Sequence, residues 1–228
     1  MYFTKDYQND TDGRGLYALT YATDFMSATL SDNLALNAPG LGNDYRNPQT
    51  VLVDANDDVY VVYDYTTALR KVTDPMGAAT ETDVFFGLDI LGGAGDDDPY
   101  DMVFAPPGFS GPNVAPGDII MTDNGLDDNA IEGIEVVTTA GVATVLATWT
   151  ELPNDPGDGN LQNIAADNIR SKVYLVPNDM TVDTGTHFFS LSPDGTLNEH
   201  WLTMPEGISF DNVQGMDVHP VDGSIWFA

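Results

Sequence analysis

Carboxylates dominate the groups that could do chemistry in this chain, and they come in short runs. Asp96, Asp97, Asp98 and Asp101 stand in "GDDDPYD", and Asp123, Asn124, Asp127 and Asp128 in "TDNGLDDN". "DANDD" adds Asp54, Asn56, Asp57 and Asp58, and "NDTDG" adds Asn9, Asp10 and Asp12. Ca²⁺ takes six to eight oxygen ligands, and loops rich in Asp, Asn and Gly can wrap to supply them. We therefore expect Ca²⁺ as a cofactor, with Asp96, Asp97, Asp98, Asp101, Asp123, Asp127 and Asp128 as candidate ligands. The competing reading of each run is a solvated turn, because a short Asp side chain bonds its own backbone. None of the runs completes the twelve-residue EF-hand loop with its final Glu.

Nucleophilic chemistry has less to work with. The chain has no Cys, which excludes a disulfide framework, a thiolate zinc site and a Cys nucleophile. His187, His200 and His219 are not spaced as metal ligands, and neither a GxSxG elbow nor a phosphate-cradling GxxxxGK[ST] loop occurs. Arg70 and Lys71, adjacent on an expected strand, read as side chains lying over their own sheet with charged ends in water.

The charge balance narrows the partners. Seven Lys and Arg face 36 acids, a net charge of −29, and Asp outnumbers Glu heavily. A field of that sign repels nucleic acid and anionic membrane, and it attracts Ca²⁺ and basic partners. No apolar run is long enough to span a bilayer, so membrane insertion is not expected. "MYFTKDYQND" lacks the apolar region of a signal peptide, and a leader is expected upstream of Met1.

The elements that must hold these residues emerge from self-similarity. Four segments align: "NPQTVLVDANDDVYVVY" from Asn47, "DPYDMVFAPPG…GDIIMTD" from Asp98, "NLQNIAADNIRSKVYLVP" from Asn160 and "NVQGMDVHPVDGSIWFA" from Asn212. Each opens on Asn or Asp and runs through a short apolar strand, a polar turn and a second strand rich in Val, Ile and aromatics. Two more strands follow in each full copy, such as "ALRKVTD" and "ETDVFFG", or "THFFSLSPDG" and "LNEHWLTM". Short strands bounded by Gly, Asp, Asn and Pro read as four-stranded antiparallel meanders. "LQNIAADNIRS" has a partial helical period, but its alignment with the other copies predicts a strand and a turn.

A four-stranded unit recurring roughly every 50 to 60 residues predicts an all-β chain, a β-propeller of four-stranded antiparallel blades. The blades fall at about 1–46, 47–97, 98–159 and 160–211, with a partial blade at 212–228. The first segment supplies second, third and fourth strands without an inner one, and the last supplies an inner and a second strand. About four blades are therefore expected here, as part of a five- to seven-bladed ring.

In such a ring the residues opening each inner strand converge near one mouth of the channel. They are Asn47 and Gln49, Asp98 and Tyr100, Asn160 and Gln162 with Asn163 beside them, and Asn212 and Gln214. Amide and hydroxyl groups around an axial hole suit a small polar ligand or a hydrated cation. Alternatively they satisfy backbone groups at the entry to each blade. Tyr100, Asp101, Asn163 and Gly215 depart from the common pattern and carry the most information.

The repeat spacing and strand rhythm resemble the NHL-like and SMP-30/gluconolactonase-like propellers over nearly the whole chain. That resemblance implies one Ca²⁺ in the channel, held by a Glu, Asn residues and an Asp. "QNIA" is similar to an Asn-bearing strand start and makes Asn163 the candidate, and "PEGIS" with Glu206 resembles the Glu motif ahead of a different strand. Gln214 or Gly215 stands where the Asp is expected. "DDDPYDMVFAPPG…GDIIMTDNG" is similar to the Asp-Asp-Pro blade opening of β-propeller phytases, which would place Asp97 and Asp98 near calcium.

Two functions follow as expectations. One is an exported, extracellular or periplasmic binding or scaffold propeller whose acidic loops take Ca²⁺ and whose partner is a protein or glycan. The other is a Ca²⁺-dependent hydrolase, lactonase, esterase or phytase-like, with its site at the channel. The residues alone leave open whether the chain is an enzyme.

Overall fold

The computed structural model describes residues 2–5, 15–22, 27–30, 48–63, 68–76, 80–86, 99–123, 133–148, 161–177, 181–182, 185–203, 213 and 215–228. Among them there are strands and turns and no helices, and every strand pairing that the registers define is antiparallel. The chain divides into two compact units, the second beginning at Tyr100 in its main part.

The first unit holds two sheets. Strands β1 (Tyr2–Lys5), β2 (Gly15–Tyr21) and β3 (Ala28–Leu30) form a three-stranded sheet in chain order. Strands β4 (Pro48–Val53), β5 (Val59–Tyr63), β6 (Ala68–Thr73) and β7 (Thr80–Phe86) form a four-stranded meander. Val59, Val61 and Val62 on β5 and Leu69 and Val72 on β6 are fully buried, as β-branched and Leu-rich middle strands should be. Arg70 is also buried, at 2% exposure, so it does not lie over its sheet with its charge in water. The expectation holds better for Lys71, which reaches the acidic β4–β5 turn.

The second unit holds three sheets. Strands β8 (Pro99–Phe104), β9 (Ile119–Asp123), β10 (Gly133–Val137) and β11 (Ala143–Thr148) make a four-stranded meander. Strands β12 (Leu161–Asp167), β13 (Lys172–Pro177), β14 (Thr181–Val182), β15 (Gly185–Leu191) and β16 (Leu197–Leu202) make the next. β14 is an addition to the expected meander. Val182 pairs with Gly185 across a two-residue link, so the short strand borders the start of β15 beyond the reach of β13. Strands β17 (Met216–Val218) and β18 (Ile225–Phe227) form a two-stranded sheet, extended by reciprocal backbone bonds between Gly215 and Ala228.

Period-two alternation explains how these three sheets stack. One face of the β12–β16 sheet presents Ile164, Val173, Leu175, Phe189 and Leu191. These pack on Ile120, Ile134, Val136 and Ala147 of the preceding sheet, with Phe109 and Val114 from the β8–β9 connection. The opposite face presents Ala165, Tyr174, Val176 and Phe188 to Val213, Met216, Val218, Ile225 and Phe227. Within this unit each sheet thus shields its neighbour, and β9 and β10 are buried at all five positions.

Two inner strands carry the same irregularity. Register shifts by one residue between Pro48 and Val51 on β4 and between Leu161 and Asn163 on β12. A bulge of this kind leaves one residue unpaired and re-aims its neighbours. It falls at the polar residues that open each repeat.

Candidate functional site

Asn47, Asp98, Asn160, Asn212 and Gln214 lie outside the described residues, as do Asp96, Asp97, Asp127, Asp128 and Glu206. Gln49 lies in β4 and Gln162 in β12, where Gln162 is the extra residue of the bulge. Tyr100 is half-buried in β8.

Asp101 and Asn163 stand at the same place in successive repeats, and both reach the next sheet. Asp101 Oδ2 accepts the backbone N–H of Ile164 on β12 at 3.1 Å, while its Oδ1 accepts the N–H of Met102 at 2.9 Å. Thr122 on β9 steadies the same residue, its hydroxyl accepting the Asp101 N–H at 3.2 Å. Asn163 is buried, and its Nδ2 donates to the carbonyl of Val213 at 3.0 Å. A carboxylate and an amide therefore do one job in adjacent blades. Each joins its inner strand to backbone of the blade that follows.

The Asp residues of the first-to-second-strand turns wrap their own backbone. Asp54 Oδ1 accepts the N–H groups of Asn56 and Asp58 at 2.8 and 3.0 Å. Asp118 accepts the N–H of Ala115 at 2.8 Å and that of Thr139 at 3.2 Å. Asp222 accepts both the N–H and the hydroxyl of Ser224, at 2.9 and 2.8 Å, and His219 Nδ1 lies 3.1 Å from it. Asp54 and Asp222 form Asx-type turns, the expected behaviour of a short carboxylate in a tight loop, while Asp118 ties its own turn to Thr139 in the turn after β10.

Two of these turns recruit a cation. Lys71 Nζ lies 2.7 Å from Asp58 and 3.6 Å from Asp54. Its hydrogen bond holds the Asp58 carboxyl below the usual carboxylate range, and Asp58 in turn raises Lys71. Asp167 is fully buried at the end of β12, and burial pushes its pKa up. Three donors overcome that push: the Arg170 guanidinium at 2.8 Å and the N–H groups of Ile169 and Arg170, both at 2.9 Å. The net shift is downward. Arg170 then crosses to the β17–β18 turn, donating to the carbonyls of Gly223 at 2.7 Å and Asp222 at 3.0 Å.

Among the described residues no three His, Asp or Glu side chains gather where they could hold a metal ion. Asp123 is buried at the end of β9, its Cα opposite Gly133. Sequence reasoning singled out Asp101 and Asn163 as departures from the common pattern, and these prove to be the inter-sheet ties. It missed Arg170, whose partners on the β17–β18 turn lie more than fifty residues away and leave no local pattern.

No family model matches the chain, and no curated protein sequence matches it. Solved structures do. The chain superposes over its whole length on virginiamycin B lyase from Staphylococcus aureus, with a TM-score of 0.56, 14% identity and 67% of the lyase covered. It matches the extracellular domain of a candidate hybrid two-component system from Bacteroides thetaiotaomicron with a TM-score of 0.53 and 11% identity, over 93% of this chain and 23% of that one. A candidate gluconolactonase is similar with a TM-score of 0.53 and 14% identity, over 93% of this chain and 63% of that one. The chain spans about two thirds of the lyase and less of the others. At such identities the likeness concerns the fold. The chain has a β-propeller fold built from four-stranded antiparallel blades, as its repeats predict.

Proposed function

We propose that this chain is an exported acidic propeller that acts as a binding and scaffold module, with Ca²⁺ held in its Asp-rich loops. The observation that carries this reading is the use made of Asp101 and Asn163. At the inner-strand positions where a catalytic ligand set would be sought, both side chains are committed to backbone groups of the neighbouring blade. Asp101 has both oxygens engaged in this way. The carboxylates proposed for Ca²⁺ beside Asp101 are those of Asp96, Asp97 and Asp98 and of Asp123, Asp127 and Asp128, with a chemistry hard enough for that ion. A surface of −29 favours a saline or calcium-containing medium and a basic protein or a cation-bridged glycan as partner. Export is in keeping with the fold likeness to an extracellular domain.

Calcium titration by calorimetry, with thermal unfolding in Ca²⁺ and in excess chelator, tests this reading. Ca²⁺ bound by the folded chain alone raises the melting temperature by mass action, about 2.7 kcal/mol at a hundredfold excess over Kd. An identical melt in chelator removes calcium from the proposal. A cation found on residues from several blades, with an open coordination position, favours the Ca²⁺-dependent hydrolase instead.

A further inference from the structure

A cavity of about 430 Å³ opens beside the β12–β13 turn, over β13, β15 and β16. The acidic character of the chain stops at its wall. Arg170, Lys172, Ser190, Ser192, Asn198 and His200 contribute to its lining, and among the described residues no carboxylate does. Only seven Lys and Arg exist in the whole chain, and two of them stand at this cavity with a His.

Strand register places these groups together. Tyr174 lies opposite Ser190, Ser190 opposite Asn198, and Phe188 opposite His200. With side chains alternating along each strand, Lys172, Ser190, Asn198 and His200 share one face, while Glu199 projects from the other. Ser190 Oγ and His200 Nε2 are 2.7 Å apart, and Phe188 stacks on the imidazole with centroids 4.9 Å apart. Asn198 Nδ2 donates to Ser192 Oγ at 3.2 Å, which leaves the Ser192 hydroxyl proton to be donated elsewhere. Arg170 is neutralised by Asp167. Lys172 forms no ion pair with any described residue.

We propose that this cavity binds a small oxyanion, a carboxylate or a tetrahedral phosphate-like group, held by Lys172, the Ser192 hydroxyl and the His200 imidazole. A partly enclosed, donor-lined cavity focuses positive potential locally even where the net charge is strongly negative. Burial and then Lys172 hold the His200 pKa below its ordinary value, so the empty site contains a neutral ring. The charged group acting on that ring is Lys172 on β13, and Arg170 in the same cavity wall is paired with Asp167. A bound anion offsets Lys172 and favours the imidazolium. Binding and protonation of His200 are therefore coupled, and affinity rises as pH falls.

The test follows the three His ring signals by NMR while the full chain is titrated with sulfate and, separately, acetate, both soluble beside millimolar Ca²⁺. A site for tetrahedral anions gives a saturable shift of His200 with sulfate, and a carboxylate site gives one with acetate. In either case His187 and His219 stay still and the His200 pKa rises by about one unit. Lys172→Ala, at an exposed position whose fold is checked by an unchanged melt, weakens binding about tenfold. Three outcomes overturn the proposal: no saturable shift with either anion, the same shift with chloride at equal ionic strength, or unchanged affinity in Lys172→Ala. None of them bears on calcium binding elsewhere.

Discussion

Asp101 on β8 accepts the backbone N–H of Ile164 on β12 at 3.1 Å, so one carboxylate joins the inner strands of two successive sheets. The contact is charge-assisted and half-buried, the regime in which a hydrogen bond contributes about 1.5–3 kcal/mol. Asp101→Ala strands the Ile164 N–H, and urea unfolding should show a loss of about 2 kcal/mol. Asp101→Asn keeps one acceptor and should recover about half of that. Equal losses in the two variants would mean that the charge, not the bond to Ile164, is what matters.

Asn163 makes the corresponding tie one blade further on, donating from Nδ2 to the Val213 carbonyl. Asn163→Leu approximates its volume but leaves a buried carbonyl unpaired, at a cost of about 1–3 kcal/mol. The two ties use different partners, but the Ile164 N–H that Asp101 accepts adjoins Asn163, so the sites couple and the double variant with Asp101→Ala should lose somewhat less than the sum of the single losses. A much smaller combined loss would show that the sheets part as one unit once either tie is cut.

The meanders were legible because alternation, β-branched residues and Asp-bearing turns point to one architecture at every repeat. The roles of the acids were not. Asp54 stands in an acidic run, and Asp118, Asp167 and Asp222 in short polar turns, that sequence alone does not tell from metal-ligand loops, since Ca²⁺ and a backbone N–H are both served by a short carboxylate. Only the geometry shows that Asp54, Asp167 and Asp222 bond backbone of their own turns and that Asp118 bonds its own turn and Thr139. Asn163 was visible as a departure from the repeat, yet its partner at Val213 depends on how two sheets stack. The cavity at His200 was invisible for a related reason. Ser190 and His200 are ten residues apart in a register that no motif records.

Acid should unfold this chain partly through Asp167. Its pKa is held below the unfolded value, so its contribution to stability is complete above the ordinary Asp range. That contribution is lost as pH falls through the lowered value of the folded state. Asp58, held down by Lys71, acts in the same direction. Denaturation midpoints measured from pH 7 down to 3 should therefore fall steeply in the native chain. Asp167→Asn should start from a lower midpoint and fall less. Parallel curves for the two would show that Asp167 titrates normally.

Two glycines report how closely successive sheets approach. Gly223 has a φ of +70° in the β17–β18 turn, and a Cβ there would meet Nη1 of Arg170. Gly195, with a φ of +90°, would set its Cβ against the backbone carbonyl of Leu146 on β11 of the adjacent sheet. The left-handed conformation costs a side chain about 1–2 kcal/mol in either case. The difference lies in what must give way. A guanidinium on a flexible stem can swing aside, losing its bonds to Gly223 and Asp222, whereas a strand carbonyl can move only with its sheet. Overpacking against backbone adds about 1–3 kcal/mol. Gly195→Ala should thus be the more damaging change, and thermal unfolding of the two variants decides it. Its harm should persist in an Arg170→Ala background, while that of Gly223→Ala should fall to the conformational cost alone. If Arg170→Ala leaves the Gly223→Ala loss undiminished, the close approach of Arg170 to that turn is not what limits the position.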